Sequence, residues 1–539
     1  MSHPAQRVRN FARRTRLRIW RLQRRSGNIA HRSTQRALGR YRQVVATHDH
    51  WAYLAELTKA VSGALSTAGI EHLILPDDVP LRPTIAIRHN DAGAARKAIA
   101  AHPATASCWL SPHLYGVTAA AFPAAWPLPV PPVATGLVVS RHLITKEGRL
   151  LSRHNQGVLL DLWDEDGDGL PGMAGPLPKG ALTTRQPNGV LNYVSPRTWA
   201  EAQENDHRLP ATRPHLLTVT EPVDIVYTWV DGDDPTWKSR KQEFLGNGLS
   251  PISHSSDSAI SARFESRDEL RYSLRSVQQF ANWVRRVWIV TDAQVPAWLL
   301  PDERLQVIDH RDIFADVSAL PAFNSHAIES QLHHIPGLAD HYLYFNDDML
   351  FGAPVRPEAF FHGNGLLKVF PSPALIDPRE HADEDQGVTA AAKNNRDFIE
   401  SIFGQTITNK LRHTPQAQRR TVLEEFEREY PEVFDTVMRS RFRSRSDHAL
   451  PSSLSQYYAI ARGYAVPDAI PHAYVDLAGD LSENAMEFWL RRRVYTCLCI
   501  NDSGGSTPQA QAALRRFFEG YFPLPSVWEK ELHRPPGPL

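Results

Sequence analysis

The 539-residue sequence contains only three cysteines, Cys108, Cys497 and Cys499. Three cysteines cannot build a disulfide framework, and without a second cysteine pair the last two do not match a zinc knuckle. A reducing compartment is therefore the simplest expectation. Long apolar runs are also missing. The longest stretch without Asp, Glu, Lys or Arg, residues 98–140, contains seven prolines, and these exclude a membrane-spanning helix there.

Acidic residues and lysine are absent from the first 48 residues, which instead contain thirteen arginines. The remaining chain carries 47 basic and 59 acidic residues, so a basic leader precedes an acidic body. Aromatic and aliphatic residues interleave with the arginines, which is typical of a helix lying on an anionic membrane surface. A disordered basic arm and a nucleic-acid-binding arm are the alternatives. Because arginines interrupt every apolar run, the leader does not resemble a secretory signal.

Changes in composition divide the chain into three parts: the Arg-rich leader (1–48), an N-terminal mixed α/β domain (50–220) and a larger C-terminal domain (222–530). In the N-terminal domain, apolar spacing predicts helices and short β-like runs predict strands. The helices are 51–67 and 91–101, and the strands are Leu73–Leu75, Thr84–Arg88, Val158–Trp163 and Gly189–Val194. None of these segments carries a chemical motif that indicates a function.

The C-terminal domain alternates apolar strands with amphipathic helices. The predicted strands are Val223–Val230, Arg286–Thr291, Leu305–Asp309 and His341–Phe345, with helices at 267–280 and after Asn324, whose buried stripe is Ile328, Leu332 and Ile335. This alternation predicts an α/β fold with a mostly parallel, Rossmann-like (GT-A-like) sheet flanked by helices. The N-terminal mixed α/β domain would then be the smaller of the two.

Acidic turns follow two strands of the predicted sheet. The turn Asp231–Asp234 ends the first strand, and Asn346, Asp347 and Asp348 end the fourth. Carboxyl ends of parallel strands meet at one edge of a sheet, where α/β folds bind ligands. Paired acidic turns there suit a hard divalent cation that keeps waters and binds substrate phosphates. The alternative is that Asp347 and Asp348 only cap a turn or the next helix.

Four stretches of the C-terminal domain resemble, in order, the conserved blocks of the Stealth family. They are Asp224–Trp237 (DIVYTWVDGDDPTW), Arg267–Trp298, Phe323–Gly352 and Cys499–Trp528. That family contains bacterial capsule and cell-wall polysaccharide phosphotransferases and the catalytic part of the animal N-acetylglucosamine-1-phosphotransferase. The likeness spans residues 222–530 and does not extend to residues 1–220.

The resemblance implies transfer of a sugar 1-phosphate, as a unit, from a nucleotide sugar such as UDP-GlcNAc to a glycan hydroxyl. The products would be a phosphodiester and a nucleoside monophosphate. Attack at the β-phosphorus leaves the anomeric carbon untouched. The chemistry requires Mg²⁺ or Mn²⁺ at the phosphates, cationic side chains on the phosphate oxygens and a base near the acceptor hydroxyl.

The resemblance also implies roles for individual residues. The expected catalytic residues are Asp348, His413 as general base and Arg443 as a phosphate clamp, and the expected metal ligands are Asp347, Asp348, Asn501 and Asp502. Substrate-binding residues would be Asp231, Gly232, Arg271 and Arg275, although both arginines could instead pair with surface acids. Arg439, Arg441, Arg443 and Arg445 alternate, as on one face of a strand. His326 is left outside the catalytic set.

Two other functions compete with this interpretation. A metal-dependent GT-A-like glycosyltransferase would use similar strand-end acids but release a nucleoside diphosphate, and a non-catalytic carbohydrate- or nucleic-acid-binding protein needs no chemistry. The expected partners are a nucleotide-sugar donor, a glycan acceptor and, through the leader, the surface of an anionic membrane. No nucleic acid is expected, and a homo-oligomer is allowed. The expected location is the cytoplasm, at the inner membrane face.

Overall fold

The computed structural model describes residues 41–530 with short gaps. The gaps are 77–81, 115–116, 120, 127–128, 153–154, 166–176, 186–190, 210–213, 247–265, 386, 481 and 505. Residues 1–40 of the leader, and with them its expected membrane-surface helix, lie outside the described residues. Positions 41–48 of the leader are described. The chain divides into two compact units at residues 213 and 214, a few residues before the boundary expected from composition.

The first unit, Met1–Arg213, is built mainly on one antiparallel sheet. Its described strands are β1 (Arg42–Val44), β2 (His72–Ile74), β3 (Thr84–Arg88), β4 (Trp109–Leu114), β5 (Val117–Thr118), β6 (Phe122–Pro123), β7 (Gly136–Ser140), β8 (His142–Ile144), β9 (Val158–Glu165), β10 (Leu182–Thr184) and β11 (Tyr193–Val194). Its helices are α1 (His50–Thr67), α2 (Ala92–Ala101) and α3 (Pro196–Glu204).

The nine-stranded sheet of this unit runs in the order β11-β10-β9-β7-β4-β5. Strand β3 lies parallel to β9 and pairs with β2, β6 pairs with β4, and β1 and β8 form a separate parallel pair. The Asp49 side chain caps α1 by accepting hydrogen bonds from the backbone of Trp51 and Ala52. The helices predicted at 51–67 and 91–101 correspond to α1 and α2, and the strand predicted at Thr84–Arg88 is β3, so all three predictions are confirmed.

The second unit, Pro214–Leu539, contains the remaining elements. Its described strands are β12 (Val223–Thr228), β13 (Val287–Thr291), β14 (Leu305–Asp309), β15 (His341–Asn346), β16 (Met349–Phe351), β17 (Leu367–Val369), β18 (Pro371–Leu375), β19 (Asn409–Leu411), β20 (Gln416–Arg419), β21 (Ala465–Pro467), β22 (His472–Asp476) and β23 (Cys497–Asn501). The helices are α4 (Pro235–Gly246), α5 (Glu269–Phe280), α6 (Ser325–Glu329), α7 (Gly387–Phe403), α8 (Arg420–Glu429), α9 (Pro431–Met438), α10 (Ser455–Ala461), α11 (Ser482–Arg492) and α12 (Pro508–Tyr521).

The central sheet of the second unit has the order β14-β13-β12-β15-β20. The first four strands are parallel and β20 is antiparallel, so the prediction of a mostly parallel α/β sheet is confirmed. Strands β12 and β15 are buried along nearly their whole length, as expected for continuous apolar runs between helix layers. Their register pairs Thr228 with Asn346, so the turns that follow both strands emerge side by side.

A smaller sheet, β16-β23-β22, extends this edge of the fold. Strand β16 follows directly after Asp348 and runs antiparallel to β23, with Met349 opposite Cys499. The Ile500 amide donates a hydrogen bond to the Asp348 carbonyl oxygen at 3.1 Å. The pairing therefore brings Asn501 and Asp502, which lie more than 150 residues downstream of Asp348, beside the end of β15.

Two sequence predictions of local structure are wrong. The helix capped by Asn324 ends at Glu329 and is followed by a short 3₁₀ helix, Leu332–His334. Pro336 disfavours helical geometry at Ile335, so one helix cannot run through the whole predicted stripe. Its predicted stripe is nevertheless buried. Residues 439–445 form bends and turns rather than a strand. Backbone bonds to Phe323 and side-chain bonds to Asn324 hold this segment in that irregular path.

Among the described residues, no helix has the length and apolarity needed to cross a membrane. All three cysteines are buried and free, which agrees with the expectation of no disulfide framework. The main core of the second unit lies on both faces of the central sheet. Leu270, Leu274 and Val277 of α5 are part of it, as their helical spacing predicts.

Candidate functional site

A cavity of about 510 Å³ opens at the carboxyl edge of the central sheet in the second unit. Residues 228–230 at the end of β12 and residues 346–348 at the end of β15 line it. This position follows from the parallel register of the two strands. A cavity of this volume is within the usual range for small-molecule sites.

Partly buried carboxylates are concentrated at the Asp347 and Asp348 turn. Burial raises the pKa of Asp347 well above its ordinary value, and the nearby Glu269 and Asp348 raise it further. Burial also raises the pKa of Asp348, against the opposing influence of His413 and of the Cys499 thiol, which donates to its Oδ2 at 3.3 Å. The Asp348 Oδ1 atom is buried and accepts no hydrogen bond from the described protein. Such a group of acids is costly without a cation.

Glu269 is a third carboxylate at this corner. It begins α5, it is almost completely removed from solvent, and it accepts a hydrogen bond from the Arg267 amide at 2.6 Å. Burial, reinforced by Asp348, raises its pKa to about 7, although the hydrogen bonds and Arg267 act in the opposite direction. Glu269 was not among the site residues expected from the sequence, and the structure places it in the lining of the cavity.

Asn501 and Asp502 line the same cavity beside the Asp347 and Asp348 turn. Asp502 is already engaged, because its Oδ2 lies 2.8 Å from the Arg267 guanidinium and accepts from the Ser506 hydroxyl at 2.8 Å. Asn501 donates a long 3.4 Å bond to Asp476, which leaves its side-chain oxygen as the group that could hold a cation. The predicted ligand set thus shares one cavity, but Asp502 would have to exchange its arginine for a metal.

The donor set at this corner suits a hard divalent cation. The orphaned Asp348 oxygen and the adjoining Asp347 carboxylate supply the oxygen ligands that Mg²⁺ or Mn²⁺ takes while it retains waters. The protein nevertheless supplies few ligand atoms at this corner. Among the described residues, the cavity brings no three His, Cys, Asp or Glu side chains to within 4.8 Å of one another. Asp347 and Asp348 therefore fit a cation that completes its shell with water and substrate oxygens.

Cationic side chains face these acids from other elements. His413, in the connection between β19 and β20, lines the cavity, is exposed, and packs its ring 5.3 Å from the ring of Tyr474. Lys410 of β19 lines the cavity as well. Arg443 reaches it from the 439–446 segment and donates to the Ser325 hydroxyl at 3.1 Å. Lys410 and Arg443 can place positive charge near an anionic ligand, and His413 offers an imidazole ring.

Only Arg443 of the four alternating arginines is directed to the cavity in the described structure. Arg439 pairs with Asp316 and Asp435, and Arg445 pairs with Asp383. Arg441 donates to the backbone carbonyl oxygens of residues 318 and 320. The position of Arg443 is fixed because the segment is tied to Asn324, whose side chain donates to the Ser440 carbonyl oxygen and to Asp447.

All four substrate-binding residues predicted from the sequence lie outside the lining of the cavity in the described structure. Arg271 and Arg275 are on α5 but both bind the buried carboxylate of Glu529. Within the described chain neither arginine lines the cavity, which agrees with the alternative that they pair with acids. Asp231 and Gly232 also lie beyond the lining. The Asp231 amide is held at 2.8 Å by the side chain of Gln294.

Aromatic and imidazole groups complete the wall. Trp229, Trp237 and Phe323 line the cavity, whereas Tyr227 is core and bonds the Ser273 hydroxyl at 2.7 Å. His326 lines the cavity too, with its Nδ1 atom 3.3 Å from the buried carboxylate of Asp447. Sequence reasoning missed Arg267, Lys410 and Asp447 as parts of this site. The signal available for Arg267 was its proximity to Glu269 at the start of α5.

Family comparisons match four segments of the second unit. Stealth protein conserved regions 1, 2, 3 and 4 match residues 221–249, 263–369, 412–460 and 489–535. Two of the stretches identified from sequence therefore fall within conserved region 2, which corrects their division into separate blocks. Conserved region 3 is instead the segment that contains His413 and Arg443.

Curated relatives agree. An exopolysaccharide phosphotransferase of Streptomyces coelicolor is 42% identical over 401 residues, which cover 72% of this chain and 73% of the relative. A second one from the same organism is 49% identical over 58% of this chain, and the match spans 53% of that relative. The exopolysaccharide phosphotransferase CpsY of Mycobacterium tuberculosis is 40% identical over 59% of this chain and 60% of its own.

The chain thus spans about half the length of the Streptomyces coelicolor relative that is 49% identical to it. A solved structure of the galactosyltransferase LgtC with donor and acceptor sugar analogs covers 56% of this chain and 97% of its own at 12% identity. Its TM-score is 0.30, which is too low to establish a shared fold.

Proposed function

We propose, from the premise that this chain belongs to the Stealth protein family, that it transfers a sugar 1-phosphate from a nucleotide sugar to a glycan hydroxyl. GlcNAc-1-phosphate from UDP-GlcNAc is the proposed donor chemistry. The proposal rests on one observation: a single cavity is lined by residues from all four conserved regions. Residues as far apart in sequence as Thr228 and Ser503 converge there, and both acidic and basic side chains line the cavity.

The charge distribution supports a diphosphate ligand. Asp347 and Asp348 would hold Mg²⁺ or Mn²⁺, with Asn501 and Asp502 as further ligands, and the bound cation would neutralise the developing charge on the phosphates. Arg443 would clamp phosphate oxygens through its guanidinium. Trp229 and Trp237 offer flat apolar surfaces for the nucleotide base.

His413 is the proposed general base. It is exposed at the cavity, so it can reach a hydroxyl group of an acceptor that enters from solvent. It would take the hydroxyl proton as that oxygen forms a bond to the β-phosphorus. The bond between this phosphorus and the oxygen bridging to the α-phosphorus breaks, and the nucleoside monophosphate leaves with that oxygen. The bond between the sugar and its phosphate stays intact.

The nucleotide product tests this proposal. The full-length protein is incubated with a nucleotide sugar, Mg²⁺ and a polysaccharide acceptor, and released nucleotides are separated by anion exchange. Nucleoside monophosphate is expected. Asp348→Asn should lower kcat by about 10³-fold, since it removes a charge at the phosphates. Asp435→Asn is the matched control, because this exposed acid of α9 pairs with Arg439 and, within the described structure, does not line the cavity.

Two outcomes would contradict the proposal. Release of nucleoside diphosphate with sugar incorporation would indicate a glycosyltransferase. Equal activity of Asp348→Asn and Asp435→Asn would show that the acidic corner has no part in the reaction.

A further inference from the structure

Three potential metal ligands converge in the second unit, away from the cavity just described. His333 and His334 lie on the 3₁₀ helix Leu332–His334, and Glu427 lies on α8. None of the three lines the cavity within the described chain. Their ligand atoms all lie within 4.8 Å of one another, and they are the only such group of three His, Cys, Asp or Glu residues among the described residues.

Both imidazole rings direct the same nitrogen at the same oxygen. The Nε2 atoms of His333 and His334 each lie 2.8 Å from Glu427 Oε2. The two ring centroids are 4.1 Å apart. Two nitrogens and one carboxylate oxygen therefore point into one small volume, which is the arrangement of a facial three-ligand site.

The second nitrogen of His334 fixes its tautomer. Its Nδ1 atom lies 3.0 Å from the backbone carbonyl oxygen of Ile313, which can only accept, so Nδ1 carries a hydrogen. A neutral His334 then presents the lone pair of Nε2 to the Glu427 carboxylate. That contact is repulsive unless a proton or a metal ion lies between the two atoms. A ring nitrogen that donates to a backbone carbonyl is the usual outer contact of a metal-binding histidine.

His333 shows a related imbalance. Its side chain is fully buried, its ring packs against Phe434 with centroids 5.6 Å apart, and its Nδ1 atom has no hydrogen-bond partner in the described protein. His334 and Glu427 each retain about a quarter of their side-chain exposure, so an ion and a water ligand can reach the cluster.

We propose that His333, His334 and Glu427 bind one divalent cation of the zinc class, with water in the fourth position. Two imidazoles and one carboxylate favour Zn²⁺, Co²⁺ or Ni²⁺ over Mg²⁺, which prefers an all-oxygen shell. The acidic corner of the cavity has the opposite preference. The bound ion would tie the 3₁₀ helix that precedes β15 to α8, which follows β20. Asp347 and Asp348 directly follow β15, so the ion would hold in place the segment that leads into the strand preceding the proposed metal ligands of the cavity.

The test measures metal binding rather than activity. Full-length protein is stripped with a chelator and then titrated with Co²⁺ and Zn²⁺ in excess Mg²⁺, which occupies oxygen-only sites. Visible Co²⁺ absorption reports nitrogen ligands, and calorimetry gives the stoichiometry. The variants are His334→Gln and Glu427→Gln, both at partly exposed positions. His381→Gln is the matched control, because His381 forms an exposed pair with Asp397 elsewhere in the same unit.

One equivalent of Zn²⁺ should bind to the wild-type protein and to His381→Gln, and should raise the melting temperature of both by linkage. Affinity should fall at least about 100-fold in His334→Gln and Glu427→Gln, since each lacks one of three ligands. Circular dichroism confirms that these variants are folded. Equal Zn²⁺ binding by wild type and both variants would overturn the proposal. Absence of Zn²⁺ binding by the wild type would overturn it as well, and would leave an imidazole–carboxylate hydrogen-bonded cluster only.

Discussion

Glu269 shows at the scale of one residue how the cavity opposes stability. Its carboxylate is enclosed at the start of α5, close to the charge of Asp348, and its pKa is raised to about 7. The folded protein therefore retains a proton on Glu269 that the unfolded chain releases at lower pH. A buried like-charge pair is typical of sites that bind a cation or transfer protons.

Replacement of Glu269 should change how stability depends on pH. Between the ordinary glutamate pKa and about 7 the folded state holds more protons than the unfolded state, so the free energy of unfolding falls as pH rises. Glu269→Gln cannot ionise and should lose this part of the slope. Its melting temperature relative to wild type should be higher at pH 8 than at pH 5, measured in a chelator. An equal difference at both pH values would contradict the account.

Only some of the residues that line the cavity could be predicted from the sequence. Asp348, His413 and Arg443 were placed by motif, and the structure brings them to one cavity, while their roles stay predictions. Arg271 has the same residue type as Arg267 and lies one helical turn away, but it contacts Glu529 instead of the cavity. The difference depends on where the C-terminal segment packs, which no local pattern encodes.

At the scale of elements, α5 and the C-terminal segment are joined by a buried ion-pair cluster. Glu529 accepts from Arg271 and Arg275 and from the Ser526 amide at 2.7 Å. Its side chain is 1% exposed. A carboxylate this deeply buried depends on its partners, because an unpaired charge in the interior is costly.

Arg275→Met should therefore destabilise the protein without weakening donor binding. We expect the free energy of unfolding to fall by about 3 kcal/mol, because Glu529 is left with one guanidinium partner. The donor KM should remain at the wild-type value. Arg443→Met is the comparison and should do the reverse, raising KM or lowering kcat with little loss of stability. An increased donor KM in Arg275→Met alone would restore the phosphate-binding role expected from sequence.

The pairing of β16 and β23 sets the geometry of the acidic corner. Gly352 lies just after β16, and a Cβ atom there would come 2.6 Å from the Tyr495 carbonyl oxygen. Gly352→Ala should push the two strands apart, lower the free energy of unfolding by about 1–3 kcal/mol and reduce kcat, because Asp348 and Asn501 lie on these strands' ends. Gly93→Ala in α2 meets no atom within 4 Å and is the control. Unchanged kcat in Gly352→Ala would show that the corner tolerates this shift.

The elements themselves were largely predictable. Apolar runs predicted β12, β14 and β15, and helical spacing predicted α5. The conformation of segment 439–445 was not predictable, because its alternating arginines match the pattern of a strand. Its path is instead determined by hydrogen bonds from the Asn324 side chain to Ser440 and Asp447. The β16 and β23 pairing joins residues far apart in sequence, and short strands give too little periodicity to reveal such a partner.

At the scale of the whole molecule, charge is separated along the chain. The first 48 residues contain thirteen arginines and no acid, whereas the rest has more acids than bases. Most of the leader lies outside the described residues, so its proposed role depends on sequence alone. A polybasic segment with interspersed apolar residues is attracted to anionic lipid by about 1 kcal/mol per arginine.

Vesicle binding by the full-length chain tests this role. Sedimentation with phosphatidylglycerol vesicles at low salt should pull down the protein, and neutral phosphatidylcholine vesicles should not. Replacing five leader arginines with glutamine should lower the partition coefficient by about three orders of magnitude. These positions are Arg13, Arg14, Arg16, Arg18 and Arg21. Equal binding to both lipids would contradict the prediction, and tighter binding to DNA than to lipid would favour the nucleic-acid alternative.

The central claim is that sugar and phosphate move together, and phosphorus NMR of the glycan product tests it most directly. The donor is a nucleotide sugar labelled with ¹³C at the anomeric carbon. The account predicts a phosphodiester ³¹P resonance in the purified glycan that is coupled to the labelled carbon. A labelled glycan that contains no phosphorus, with the anomeric carbon bonded directly to an acceptor oxygen, would contradict it.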